Sequence, residues 1–245
     1  MSTNVGLEKC FTFIHAQSQP GSKESPLRPA APPRRFVTLS RQAGCGAHVT
    51  GEKLAELLQA QPPGGPCPWT VFDRNLVAQV LEDHHLPKRL EKYMPEDSTS
   101  EIADIMDEVF DLHPSSWTLV HQMSETILRL AALGNCILIG RGANVITAKL
   151  NPGFHVRLIG SLEKRAERIQ HFEQLTRREA LALAEQQDRA RGGYVKKYFG
   201  RAIDDPLLYD LVINTDSFSC DEAAALIAQA VLKSVPVRRA EPAGR

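Results

Sequence analysis

Between residues 36 and 233, short apolar or β-branched runs alternate with longer segments in which apolar positions recur every three to four residues. That alternation predicts a parallel sheet covered by helices on both faces. The runs predict five strands, at 36–40, 69–72, 135–139, 154–158 and 211–214. The intervening periodic segments predict helices at 47–58, 74–83, about 100–112, 116–133, 162–172, 177–191 and 220–233. Ser219, followed by Asp221 and Glu222, gives the last helix a side-chain cap and acidic charge at the positive end of its dipole.

Outside this body the pattern lapses. Residues 17–35 hold five prolines among small polar residues, a composition that supports neither a helix nor a packed strand. The expected organisation is therefore a disordered proline-rich leader over 1–35, one α/β domain over 36–233 and a flexible tail over 234–245. The acidic stretch 91–111 reads either as an amphipathic cover helix or as a segment shaping a pocket or a homodimer contact.

Composition removes several function classes. The 29 basic and 29 acidic side chains cancel, so no global field draws the chain to nucleic acid, and any phosphate recognition has to be local. No apolar run approaches the roughly 18 residues of a spanning helix, and the first residues lack a signal-peptide pattern. No membrane association and a cytoplasmic location are expected. The five cysteines are odd in number, scattered and free of metal-ligand spacing, so they read as reduced thiols and no metal site is expected from them.

Candidate chemistry begins where the first strand runs through Ser40-Arg41-Gln42-Ala43-Gly44-Cys45-Gly46 into a helix starting Ala47-His48-Val49. A strand–turn–helix exit lets consecutive amides of Gly44 to Val49 converge on an anion, with the helix dipole adding positive potential. The same glycines also serve a plain tight connection, so the turn alone does not decide. The consensus GxxxxGK[ST] is absent: with Gly46 as the second glycine, Arg41 stands at the first and Ala47-His48 where lysine and serine or threonine belong. The charge such a lysine delivers would have to come from His48 or Arg41.

A second strand ends in Gly140-Arg141-Gly142, which places Arg141 at the carboxyl end of the sheet, where an arginine fork suits a phosphate. A third segment carries Asp188 and Arg191 three apart on one helical face, followed by Gly192-Gly193, a pair expected to break the helix before Tyr194 and Tyr198. Such a segment reads as a cationic lid over phosphates or as a solvated, ion-paired helix.

Taken in order, Ser40-Arg41-Gln42 with Gly44-Cys45-Gly46, Phe72-Asp73-Arg74, Gly140-Arg141-Gly142-Ala143-Asn144, Asp188-x-x-Arg191-x-x-Tyr194 and Tyr209 to Thr215 resemble the cytidylate-kinase-like family over about 36–232. The resemblance implies a three-layer P-loop NTPase fold of the nucleoside-monophosphate-kinase type, with a helical lid. It implies ATP with transient Mg²⁺ as donor, and a nucleoside monophosphate or related phosphate acceptor as partner. It gives catalytic roles to Arg141, Asp188 and Arg191, phosphate binding to Arg41 and residues 44–49, and substrate binding to Asp73, Arg141 and Tyr194. Gly142 stands where true CMP kinases carry aspartate, and Ala47-His48 where the family carries Gly-Arg. A module that binds nucleotide or anion without turnover is the competing expectation, together with a kinase of another small acceptor.

Overall fold

The apolar runs are the strands of the computed structural model, which describes residues 12–13, 34–61, 68–73, 102, 105–106 and 118–234. They are β1 (Phe36–Arg41), β2 (Thr70–Phe72), β3 (Cys136–Ile139), β4 (Gly153–Ile159) and β5 (Leu211–Asn214). The five form one sheet in the order β2-β3-β1-β4-β5. Every pairing is parallel: Val37 of β1 stands opposite Ile137 of β3 on one side and Phe154 of β4 on the other.

Successive side chains of a strand point to opposite faces, and β1 shows both faces covered. Phe36 joins Phe72, Cys136 and Leu138 in one apolar cluster, while Val37 and Leu39 join Val71, Ile137 and Ile139 in another. The first cluster is roofed by α2 (Thr118–Leu133) through Ile127, Leu128, Leu130 and Ala131. The second is roofed by α1 (Ala47–Gln59) and α6 (Cys220–Lys233) through Leu54, Ala55, Leu58, Ala223, Ala224 and Ile227. The result is the three-layer α/β arrangement that the alternation predicts. A fully buried Leu or Phe contributes about 1.5–3 kcal/mol. The two half-cores thus fix the sheet and, with it, the strand ends that carry the candidate chemistry.

Three shorter or peripheral elements complete the described chain: α3 (Ala143–Ile146), α4 (Leu162–Glu173) and α5 (Arg177–Phe199). A small cluster of Ala43, Ala166, Ile169, Ala180 and Ala184 joins α4 and α5 to the turn after β1. Capping boxes open α5, through Thr176 and Glu179, and α6, through Ser219 and Glu222. The second of these is the cap expected at Ser219.

Two expectations change. The pair Gly192-Gly193 does not end the helix: α5 runs on to Phe199 and closes at Gly200, whose φ of 64° is the left-handed terminator. Two interior glycines cost roughly 1 kcal/mol each against alanine, but the extra turn buries Val195 and packs Tyr194 and Phe199 on the α2-side cluster. Within the expected leader, Phe13 is fully buried and meets the Phe72 ring edge-on at 5.3 Å. Of the expected helix at 100–112, the described residues Ile102, Ile105 and Met106 are helical and buried in the same cluster. The helix expected at 74–83 and most of the acidic stretch 91–111 lie outside the described residues. Among those described, no helix is long and apolar enough to cross a membrane.

Candidate functional site

The turn after β1 is shaped by two left-handed glycines, Gly44 at φ 77° and Gly46 at φ 70°. Neither position has room for a side chain: a Cβ on Gly44 would run into the main chain of Arg165, and one on Gly46 would stand 2.6 Å from Cys220 Sγ. The turn is therefore wedged between α4 and α6. Its carbonyls are held from the α4 side, with Arg165 Nη1 donating to Ala43 O at 2.9 Å and Arg168 Nη1 to Gly44 O at 3.3 Å. In a trans peptide the N–H points opposite to the C=O, so these contacts turn the amides of Gly44 and Cys45 away from α4. Helix α1 begins on Gly46 with no side-chain cap and no acid in its first turn, and Thr50 N is the first amide bonded back, to Gly46 O at 2.9 Å. The amides of Ala47, His48 and Val49 thus stand at the positive end of the helix dipole, an arrangement suited to an anion.

Asp188 ties α5 to this turn. Its Oδ1 accepts from Ala43 N at 2.7 Å and from Arg191 Nη1 at 3.2 Å, and its Oδ2 accepts from Arg165 Nη1 at 2.7 Å. The expected Asp188–Arg191 pairing is present, yet the carboxylate faces the protein's own turn and does not line the neighbouring cavity. Its geometry is that of a clamp.

That cavity, of about 330 Å³, lies at the carboxyl ends of β1 and β3 and is lined by Arg41, Arg141, Asn144, Arg191 and Tyr194 together with aliphatic side chains. Gly140, Arg141 and Gly142 have φ of 81°, 57° and 72°, three left-handed residues in succession. For Arg141, which carries a side chain, that backbone stores strain of order 1–3 kcal/mol. The coil lets the Arg41 guanidinium lie directly over Gly140, where any Cβ would collide with Nη1, and lets the Phe199 ring close on Gly142. The Arg141 guanidinium stands 6.0 Å from the centre of the Tyr194 ring. Asn144 is buried, and its Nδ2, like the Tyr194 hydroxyl, has no partner among the described residues. Burial pushes the Tyr194 hydroxyl up to about 12, against the opposing pull of Arg141, so the group stays protonated. Burial also lowers the Arg191 guanidinium, and Asp188 offsets that.

Four of the expected residues, Arg41, Arg141, Arg191 and Tyr194, thus meet in one cavity, and residues 44–49 form the adjoining turn. The remainder stand elsewhere. Ala47 is buried, a methyl in the α1-side core. His48 is 64% exposed, with its ring nitrogens 4.0 Å from Glu52 and from Asp73 at the end of β2. Neither His48 nor Asp73 lines the cavity. The Cys45 thiol is buried and pushed up chiefly by that burial, so Cys45 offers only its amide to an anion. Among the described residues no group of three metal-ligating side chains gathers.

Of the residues that hold the site, Arg165, Arg168 and Arg157 were not singled out in the sequence, while Gln42 belongs to the Ser40-Arg41-Gln42 motif. Arg165 and Arg168 brace the turn from α4, and Gln42 Oε1 accepts from Gly160 N at 3.0 Å, joining the turn to the end of β4. Arg157, buried within β4, donates to Ser40 Oγ at 3.0 Å and pairs with Asp204, anchoring the segment that brings Ile203 to the cavity wall. The signal available for α4 was the i, i+3 spacing of Arg165 and Arg168, which puts both on one face.

No curated protein matches the chain. Among solved structures it is similar to an uncharacterized protein from Eubacterium ventriosum ATCC 27560, at 18% identity and a TM-score of 0.64, over 82% of this chain and 99% of that one. That likeness concerns the fold. It also matches shikimate kinase from Bacteroides thetaiotaomicron at 14% identity and a TM-score of 0.43, over 81% of this chain and 98% of that one. TT1252 from Thermus thermophilus matches at 16% identity and a TM-score of 0.41, over 81% and 96%. The model of the cytidylate kinase-like family matches residues 36–217, from the first residue of β1 past the end of β5 and through every strand and turn described above. The chain belongs to the cytidylate kinase-like family.

Proposed function

We propose that the protein is a small-molecule phosphotransferase that moves the γ-phosphoryl group of ATP to a nucleoside monophosphate or a related phosphate-bearing acceptor. One observation carries this reading: a cavity lined, among the described residues, by three arginines and no carboxylate opens beside an uncapped helix start behind a doubly left-handed turn. A donor phosphate and an acceptor phosphate then have separate but adjoining places. The amides of residues 44–49 hold the donor phosphates, and Arg141 and Arg191 grip the acceptor phosphate. Tyr194 and Asn144 supply neutral polar contacts deeper in the cavity. An ionised acceptor oxygen needs no general base, so the protein's work is positioning and charge stabilisation.

Mg²⁺ suits a site of this kind as a companion of the nucleotide, since it binds through one or two carboxylates, water and phosphate oxygens rather than through a protein cage. Asp73, near the head of α1 beside His48, is the carboxylate that fits this role. When bound, the ion neutralises charge on the donor phosphates. Membership of the family supports nucleotide binding and kinase-type chemistry. The unpaired thiols of Cys45, Cys136 and Cys220 support a reducing, cytosolic location.

A second reading, nucleotide or anion binding without turnover, is favoured by the buried methyl of Ala47 at the lysine position. The two separate in one assay: purified protein, Mg-ATP and a panel of CMP, UMP, AMP and GMP, followed by coupled ADP detection and by thermal shift. Acceptor-dependent ADP formation supports the transferase. Ligand-induced stabilisation with no ADP above background leaves the binding module.

A further inference from the structure

If the family chemistry operates here, a positive charge has to reach the phosphoryl group in transit, and the residue that supplies it by consensus is missing. The structure narrows the replacements. Ala47 has no charge to offer and is buried, and His48, exposed and 4.0 Å from both Glu52 and Asp73, does not line the cavity. Arg165 braces the turn from α4, donating to Gly160 O, Ala43 O and Asp188. Arg168 braces the same turn through Gly44 O and Thr215, and Arg191, tied to Asp188 and Gln187, stands on the acceptor side. Arg141 stands over Tyr194, on the acceptor side.

Arg41 differs in place. Its backbone is the last residue of β1, in register with Leu158 of β4, and leads directly into the anion turn. Its side chain crosses the end of β3 over Gly140 and enters the cavity that Arg141 and Arg191 line. The crossing depends on glycine at 140, where the φ of 81° and the contact with Arg41 both exclude a side chain. Arg41 thus links the strand end that leads into the donor turn to the acceptor cavity that its side chain lines.

We propose that Arg41 is the catalytic cation of this protein: it replaces the absent lysine, but from the strand end before the turn rather than from the helix after it. The inference rests on the phosphotransferase reading. In the step it serves, the bond between the γ-phosphorus and the oxygen bridging to the β-phosphate breaks, and its electron pair leaves on ADP. An ionised oxygen of the acceptor phosphate supplies the pair for the new P–O bond. No proton or redox partner is needed, and the guanidinium compensates charge on the oxygens of the moving group. An arginine keeps its charge throughout the working range, so the charge is permanent.

The test compares wild type with Arg41→Gln, which keeps a stem across Gly140 and removes the charge, and with Arg41→Ala, which leaves space for added guanidinium. ADP formation is measured with the four nucleoside monophosphates, and ATP affinity is measured separately by titration. The expected result is a kcat lower by on the order of 10³ in both variants, an ATP Kd within about threefold of wild type, and partial recovery of Arg41→Ala, but not of wild type, on adding guanidinium; the scale is that of arginines that stabilise phosphoryl transfer. A purely structural arginine would give neither the split between kcat and Kd nor the rescue. If wild type turns over and Arg41→Gln keeps its kcat within about threefold, Arg41 is not the catalytic cation, while the transferase reading stands. If wild type forms no ADP with any acceptor, the transferase reading itself fails and the role of Arg41 falls with it. Should Arg41→Ala lack a cooperative melting transition, Arg41→Gln alone decides.

Discussion

Replacing Asp188 by asparagine asks whether α5 is clamped to the phosphate turn or lies on it as a solvated, ion-paired helix. The carboxylate accepts three donors, from Ala43 N and Arg165 at 2.7 Å and from Arg191 at 3.2 Å. Asparagine keeps the shape but offers one neutral oxygen and turns an NH₂ toward a guanidinium. A hydrogen bond to a charged group contributes about 1.5–3 kcal/mol, and removing one partner of a buried pair costs about 3–5 kcal/mol. Two features lower that figure: the Asp188 side chain is 24% exposed, and Arg165 keeps Gly160 O and Ala43 O as acceptors. The expected loss is therefore about 2–3 kcal/mol. For a domain of this size that corresponds to a Tm lower by about 4–12 °C. Urea unfolding followed by circular dichroism measures it, with an unchanged m-value required for the comparison. A double-mutant cycle with Arg165→Met should return a coupling above about 1 kcal/mol. A loss below about 0.5 kcal/mol, the usual worth of an exposed helical pair, would refute the clamp.

Two further outcomes are expected. Gly193 lies inside the continuous α5 with nothing within 4 Å of an added Cβ, so Gly193→Ala should raise unfolding stability by roughly 0.5–1 kcal/mol, whereas a helix broken at this pair would gain nothing. The capping carboxylates of Glu179, held below the ordinary range by the Thr176 hydroxyl and amide, and of Glu222, held by the Ser219 amide and hydroxyl, have folded pKa values lower than unfolded ones. Their contribution is therefore full above the unfolded value and lost as pH falls through the folded one. Denaturation midpoints should hold steady above about pH 5 and decline below it, and Glu179→Gln with Glu222→Gln should flatten part of that decline.

The strands were legible because a strand covered on both faces is mostly apolar or β-branched, even where β1 and β4 bury Thr38, Ser40, His155 and Arg157, and such a run has few other readings. Leu211–Asn214 was found to the residue, and the other four within one or two positions. What the pattern could not show is where packing overrides local preference. Gly192-Gly193 is a helix stop by propensity, and only the burial of Val195 and the docking of Phe199 on Gly142 make the next turn worth forming. Phe13 lies ahead of the proline-rich stretch, in a part of the expected leader where no element was read, yet its ring is buried in the core against Phe72.

The candidate site divides along the same line. Motif order brought Arg41, Arg141, Arg191 and Tyr194 to one place because each follows a strand or sits on the helix above the strand ends, and a parallel sheet gathers those ends on one edge. Orientation was not encoded in that order. Asp188 reads as a partner of Arg191, three residues away, but its stronger contact is with Ala43, 145 positions earlier in the chain. Arg165 and Arg168 look like ordinary helix charge until α4 is seen to press on Gly44. The same reasoning changes what the missing lysine means. A scan keyed to the residue after the second glycine finds Ala47 and reads a lost charge, because it assumes that the cation must come from the helix. The backbone coil at Gly140 offers a different route, in which a side chain from the strand end crosses to the cavity before the turn begins. On the role proposed for Arg41, activity at this turn depends on glycine at 140 and arginine at 41 together, a pair separated by about a hundred residues that no local motif would join.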